Sequence, residues 1–246
     1  GVQTCALPIS QTRAQARLGA IYQGWLTFRA NKLAMLGLII LVLLVGMAIF
    51  APWLAPRDPF AQNLAERLMP PSAAHWLGTD ALGRDILSRL IYGSRITLFI
   101  VGTVALIAPV IGLLVGTVAG FAGGWVDQVL MRLTDAQLSI PMIILAITIL
   151  GVSRPTIPSI IMVLGLAGWP VYARVMRSTV MAERKKEFVR GAMILGATDW
   201  RIMFTLILPL VLPPMAFVAV LDVARMMIFE SVLGFLGRSE ERRVGK

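Results

Sequence analysis

The chain is poor in the residues that soluble catalysts draw on. Among its 246 residues there is one histidine, one cysteine and three tyrosines, and only 15% are charged. With His75 as the sole imidazole, neither a histidine-based metal cluster nor a Ser–His–acid triad is expected, and the residue reads as a loop histidine with no special role. The long apolar runs offer no nucleophile beside a base, no paired carboxylates and no group of metal ligands, which argues against an intramembrane enzyme. There is also no G-x-x-x-x-G-K-[ST] stretch, so ATP is not bound in the P-loop manner. No catalytic residue, metal or cofactor is therefore expected.

What the chain does have is apolar length. Hydrophobic residues make up 57% of it and the mean hydropathy is +0.80. Five stretches carry no formal charge: 33–56, 96–126, 136–153, 155–173 and 202–221. A helix needs roughly 20 apolar residues to cross a bilayer core, so these predict five membrane spans. The competing reading, buried core helices of a large soluble protein, leaves too little polar sequence to cover them. The expected class is an all-α, polytopic helical membrane bundle.

The two ends read differently from the middle. VQTCALPI within residues 1–9 and RSEERRVGK at 238–246 both resemble translated sequencing-library adapters, so both segments are expected to be artefacts. Cys5 then says nothing about redox compartment. Arg238, Arg242, Arg243 and Lys246 against Glu240 and Glu241 would also supply two units of the +10 net charge, leaving +8.

The remaining positive charge is read by location, as a membrane-orienting bias rather than a nucleic-acid surface. Arg13, Arg17, Arg29 and Lys32 precede the first run with no acid among them. That puts the segment 10–32 in the cytoplasm, the first span at 33–53 and an external loop at 54–94. The external loop is nearly balanced, with Arg57, Arg67, Arg84, Arg89 and Arg95 against Asp58, Glu66, Asp80 and Asp85. Local Asp80/Arg84 and Arg84/Asp85 pairs are expected there. A short internal loop follows around 127–135, and an external turn near Arg154. The stretch 177–201 then returns inside with six basic residues, Arg177, Arg184, Lys185, Lys186, Arg190 and Arg201, against Glu183, Glu187 and Asp199. Both basic clusters fall on one side.

That last stretch is longer than a connector requires. Phe188, Ala192 and Leu195 recur at helical spacing, Gly196 is placed to stop the helix, and Thr198 can cap the next one. The expected result is a helix–glycine–helix elbow with small residues at Gly191, Ala192, Gly196 and Ala197. Such a helix either docks in a partner's groove or lies as a solvated or membrane-surface helix.

EFVRGAMILGATDWRIMFTLILPL, 187–210, resembles the cytoplasmic coupling loop of ABC-type importer permeases. The family pattern is Glu-Ala-Ala, three residues, Gly, nine residues, Ile-x-Leu-Pro. It falls here on Arg190, Gly191, Ala192, Gly196, Leu206, Leu208 and Pro209. Arg190 stands where the family has Glu, Gly191 where it has Ala and Leu206 where it has Ile. HWLGTDALGRDILSRLIYGSRITL (75–98), GFAGGWVDQVLMRLTD (120–135), WPVYARVMR (169–177) and ESVLGFLG (230–237) are similar to the di- and oligopeptide subgroup, in its C-type permease. The resemblance implies a type I importer permease of six spans, five of them present here, with its transmembrane domain at 95–237. It implies coupling through Glu187, Arg190, Gly191, Ala192, Gly196, Ala197, Asp199, Leu208 and Pro209 to one of two separate ATP-binding subunits. It further implies a second permease subunit, an external solute-binding protein, and the inner membrane of a bacterium or archaeon. Nickel and other small solutes are carried by close relatives, so the solute stays open. A passive channel or a carrier driven by an ion gradient is the nearer rival in another class, and it has no need of the elbow.

Asp222, Arg225 and Glu230 lie within or beside the last run. Charge there is costly and faces a partner or a water-filled path. Asp222 and Arg225, three apart on one helical face, either line the solute route or form a self-neutralised pair. The stripe Gly112–Gly116–Gly120 reads as close helix packing. Pro109, Pro141, Pro170, Pro209, Pro213 and Pro214 free backbone carbonyls that either pack against neighbours or line a cavity.

Overall fold

The computed structural model describes residues 13–152 and 156–244. The segment 1–9 with Cys5, and Arg154, lie outside the described residues, as do the side chains of 235–246. Apart from one bridge between Thr79 and Asp85, the described chain is helix and loop. It falls into two compact units, Gly1–Arg95 and Ile96–Lys246.

In the first unit, α1 (Arg13–Ala30) is followed by α2 (Lys32–Ile49) and the short α3 (Ala51–Leu54). Asn31 separates the first two, its side-chain oxygen accepting from the amides of Leu33 at 3.1 Å and Ala34 at 3.3 Å. That satisfies two of the free N–H groups at the start of α2. Apart from Lys32 at its start, α2 carries no charge, and it is long and apolar enough to span a bilayer.

Between α3 and α4 (Ile86–Ala122) the chain folds into a polar knot. The helix starts at Ile86, so the last part of the 54–94 stretch, with Arg89, is helical rather than loop. His75 is 3% exposed, and its Nδ1 stands 3.0 Å from Asp85 Oδ1. A carboxylate only accepts, so Nδ1 carries the proton. Nε2 faces Glu66 Oε2 at 3.4 Å, an ion-pair distance without a hydrogen bond. His75 therefore has a structural role, contrary to the reading of an idle loop histidine. Asp85 Oδ2 also accepts from Ser88 Oγ at 2.7 Å and the Ser88 amide at 2.8 Å. Burial pushes the Asp85 carboxyl up, but these donors outweigh it and hold it below the usual carboxylate range. The expected Arg84/Asp85 pair gives way to this arrangement because Arg84 is already taken. Its Nε and Nη2 bind Asp80 Oδ2 at 2.9 and 2.8 Å, and Arg89 joins the same oxygen. Gly83 (φ +72) closes the turn, and a Cβ there would lie 1.7 Å from the Asn63 carbonyl oxygen.

The second unit holds the rest of α4, then α5 (Gly124–Leu138), α6 (Met142–Val152), α7 (Ile157–Arg184), α8 (Glu187–Ile194), α9 (Asp199–Arg201), a π-helical stretch Ile202–Ile207 and α10 (Leu208–Val244). Four helices of the described chain are long and apolar enough to cross a membrane: Lys32–Ile49, Ile86–Ala122, Ile157–Arg184 and Asp199–Gly234. The pair α5 and α6, bent by 80° at a break that includes Pro141, makes a fifth if it counts as one span. Four of the five expected runs thus lie in helices long enough to span, and the third lies in the broken pair. The expected loop around 127–135 is in fact part of α5. Its charges are matched on α7, where Arg177 Nη2 binds Asp127 Oδ2 at 2.5 Å and Arg174 Nη2 binds Asp135 Oδ1 at 2.6 Å. Pro109, Pro170, Pro213 and Pro214 sit inside helices that continue through them.

Lipid removes the hydrophobic drive between helices, so close van der Waals contact must replace it. The glycine stripe of α4 supplies that contact. A Cβ on Gly112 would stand 2.3 Å from Tyr172 Cβ, and one on Gly116 would stand 2.4 Å from the Ala173 carbonyl oxygen. One on Gly120 would stand 2.8 Å from the Arg177 carbonyl oxygen. The backbone of α7 therefore fills the groove along α4. Around this seam, one core joins Ile100, Val104, Leu164, Tyr172, Met226 and Leu233. A second joins Phe121, Met176, Val180, Val189, Ile202 and Ile207.

Gly116→Leu should break the seam and destabilise the protein by about 1–3 kcal/mol or more, because the clash is with backbone that cannot swing away. Thermal unfolding in detergent reads this directly. In the first unit, Asp80 is drawn down to about 2 from an ordinary 3.8: burial raises it, and the amides of Arg84 and Leu82 with the Arg84 guanidinium more than offset that. The folded value lies below the unfolded one, so the stabilisation is present above pH 3.8 and is lost as pH falls through about 2. Asp80→Asn should cost at most about 2 kcal/mol at neutral pH. The gap from the unsubstituted chain should close across that acid window in denaturation curves.

Candidate functional site

The elbow begins where α7 ends at Arg184, later than the start of 177–201 expected from charge alone. Lys186 occupies the N-cap of α8, and Glu187 places a carboxylate in its positive first turn. At the far end the Gly196 amide donates to the Met193 carbonyl and the Ala197 amide to the Ala192 carbonyl, each at 3.0 Å. These two bonds, with Gly196 at φ +79, form a Schellman stop, as its position predicts. Thr198 stands at the N-cap of α9, but its side chain makes no capping bond there.

Of the Phe188, Ala192 and Leu195 that mark α8 as a helix, only Ala192 turns inward. Val189 is fully buried, and Ala192 and Ala197 pack with it on the core of Ile202 and Ile207. Phe188 is exposed, as are Ile194 (86%) and Leu195 (88%), and Trp200, also exposed, makes a tilted ring contact with Phe204 with ring centroids 4.4 Å apart. The elbow thus has two apolar faces, one anchoring it to the bundle and one facing outward at its tip. Added side-chain atoms at Gly191 would meet nothing within 4 Å, which keeps that flank open. Asp199 starts α9, while Leu208 and Pro209 open α10 directly after the π-helical stretch. Arg190 is exposed and lines, with Arg184 and Lys185, a cavity of about 330 Å³ between the ends of α4 and α7. In this position it adds to a cationic patch, where a glutamate would have opposed one.

A second cavity of about 240 Å³ lies inside the bundle at the α5–α6 break. Gln137, Pro141, Gly168, Asp222, Arg225 and Met226 line it. Asp222 is 8% exposed, and Tyr172 Oη donates to its Oδ2 at 3.1 Å. The Arg225 guanidinium lies over the Phe229 ring, 5.5 Å from its centroid. Among the described residues no Asp222–Arg225 ion pair forms, because each of the two groups has found a neutral aromatic partner instead. Glu230 is not part of this cavity and accepts from Thr97 Oγ1 at 3.1 Å. Tyr172 and Gln137 were not foreseen as site residues. Tyr172 lies in the WPVYARVMR stretch, and its role depends on a partner 50 residues away in sequence.

Polar groups matched deep among apolar helices, beneath an elbow with an apolar tip, define a multi-pass helical membrane protein. The profile of the family described as "Binding-protein-dependent transport system inner membrane component" matches residues 112–244. A second, the "N-terminal TM domain of oligopeptide transport permease C", matches residues 21–71. The chain is 38% identical to a dipeptide transport system permease protein of Bacillus subtilis, over 87% of this chain and 67% of that one. It is 35% identical to a probable D,D-dipeptide transport system permease protein of Escherichia coli, over 91% and 74%. It is also 39% identical to a nickel transport system permease protein of Escherichia coli, over 82% and 73%. The chain belongs to the family of binding-protein-dependent transport system inner membrane components.

Because Ile202 is fully buried where α8 meets α10, Ile202→Ala should loosen the elbow by about 2–5 kcal/mol. Hydrogen exchange should speed up in 187–201 while the α4–α7 seam stays protected.

Proposed function

We propose that this permease subunit forms half of the translocation pathway of an ATP-driven importer for di- or oligopeptides. Its partners are a second permease subunit, two ATP-binding subunits and an external solute-binding protein. It sits in the inner membrane with its N-terminus in the cytoplasm. The peptide assignment is supported by the dipeptide transport permeases among relatives at 35–38% identity. The nickel relative at 39% keeps a small-cation importer as the second reading. The orientation rests on the two basic clusters, 10–32 and 177–201, falling on one side.

The observation that carries the coupling role is the two-faced elbow. Val189 and Ala192 hold it to the bundle, while Ile194, Leu195 and Trp200 present a compact apolar tip. A short helix with an apolar face suits a groove on another protein. The ATP-binding subunit would take that tip, and its closure would tilt the equilibrium between inward-open and outward-open states. Glu187, Arg190, Gly191, Gly196, Ala197, Asp199, Leu208 and Pro209 then shape, orient or support the docking helix. Since Ala192 and Ala197 face inward, enlarging them would test the elbow's own packing. Docking is tested at the tip.

Ile194→Asp with Leu195→Asp should cut ATP-dependent peptide uptake in reconstituted vesicles by about tenfold or more, the scale of losing central anchor residues. Membrane insertion and thermal stability should stay as they were. Unchanged uptake would remove the coupling role from the elbow.

A further inference from the structure

Asp222 is a carboxylate sunk in an apolar helix, with a tyrosine hydroxyl as its neighbour and no cation within ion-pair distance among the described residues. Such a charge is expensive to keep in a membrane and persists where it meets something charged in passing. Arg225 is on the same helix face and the same cavity, held over Phe229 instead of on Asp222. Each charge is propped by an aromatic group, and the two do not close into an ion pair. The opposite wall is the α5–α6 break. Irregular backbone at membrane depth is tolerated where it is packed in protein or lines a cavity, and broken helices of this kind build solute sites in other transporters. Gly168 completes the lining, and a Cβ on it would stand 2.7 Å from Met226 Cε. At about 240 Å³ the space falls below the ~300–1,000 Å³ of pockets that enclose a whole drug-sized ligand. It suits a solute smaller than that, such as an amino acid or a short peptide.

We propose that this cavity is a solute-contact site on the translocation path, where Asp222 meets the amino group and Arg225 the carboxylate of a zwitterionic solute. The proposal rests on the importer reading and narrows it. A bare divalent cation would be attracted by Asp222 and repelled by the guanidinium beside it, whereas a short peptide or amino acid satisfies both. The contact is a weak one, because a path must release what it receives.

The test uses the assembled transporter in vesicles, with Cys5→Ser and a reporter cysteine at Leu138→Cys or, should that variant fail to assemble, Val171→Cys. Thiol labelling is compared between a cationic and an anionic methanethiosulfonate reagent. The reporter should label from water, several-fold more slowly when a transported dipeptide and ATP are present. Asp222→Asn keeps the size and can still accept the Tyr172 hydrogen bond. It should shift labelling toward the anionic reagent, remove the slowing by dipeptide and lower dipeptide uptake at least tenfold. A structural role alone would leave the slowing of labelling by dipeptide in place. If vesicles take up dipeptide with ATP while the reporter is unlabelled, or labels at a rate the dipeptide does not change, the site is refuted and the importer reading stands. If the unsubstituted assembly shows no ATP-dependent dipeptide uptake, the importer reading fails, and this proposal with it.

Discussion

The backbone contact between α4 and α7 is the constraint on which the rest of the second unit depends. In water, two apolar helices are driven together by the surface they hide; in lipid that gain largely disappears, because tails and leucines are alike to one another. Three glycines one turn apart bring the main chains close enough for dispersion to act over many atoms. With that seam closed, α7 presents Arg174 and Arg177 to α5, Tyr172 to α10, and Val180 to the elbow. Remove the seam and each of those partners loses its registration.

Charge handling follows a single logic in both units. Outside the apolar spans, carboxylates collect several donors at once: Asp80 gathers two arginines and Asp85 gathers His75 and Ser88. These clusters order a segment that contains little regular secondary structure. Within the bundle the ion pairs of α5 with α7 close locally, whereas Asp222 and Arg225 are left with neutral aromatic partners. The difference between satisfied and held-apart charges is what separates scaffold from candidate site here.

Much of this was legible in the sequence because lipid imposes a coarse code. Uncharged runs located the spans, a glycine stripe located the seam, and Gly196 located the end of α8. Four features were not legible, each for a physical reason. Asp127, Arg132 and Asp135 made α5 look like a loop, since charges read as exposed until the α7 arginines that match two of them are placed in space. His75 looked idle because both of its acidic neighbours, Glu66 and Asp85, come to it only through the fold. The helical spacing of Phe188, Ala192 and Leu195 left the inward face of α8 open, since an eight-residue helix with apolar residues on two sides fits either orientation. The core of Ile202 and Ile207 decides which side turns in. The same blindness applied to Asp222, whose spacing from Arg225 allowed a pair that Tyr172 and Phe229 intercept.

The π-helical stretch Ile202–Ile207 joins α9 to α10 without a break, within a continuous helical run from Asp199 to Gly234. A π turn carries one residue more than an α turn, and each α residue advances the helix by about 100°. The stretch therefore acts as a phase adjuster between two surfaces of one rod. It sets the azimuth at which Asp222 and Arg225 face the cavity when the elbow's tip faces outward. A homologue that gained or lost a single residue in this interval could keep both surfaces intact and still have them out of step.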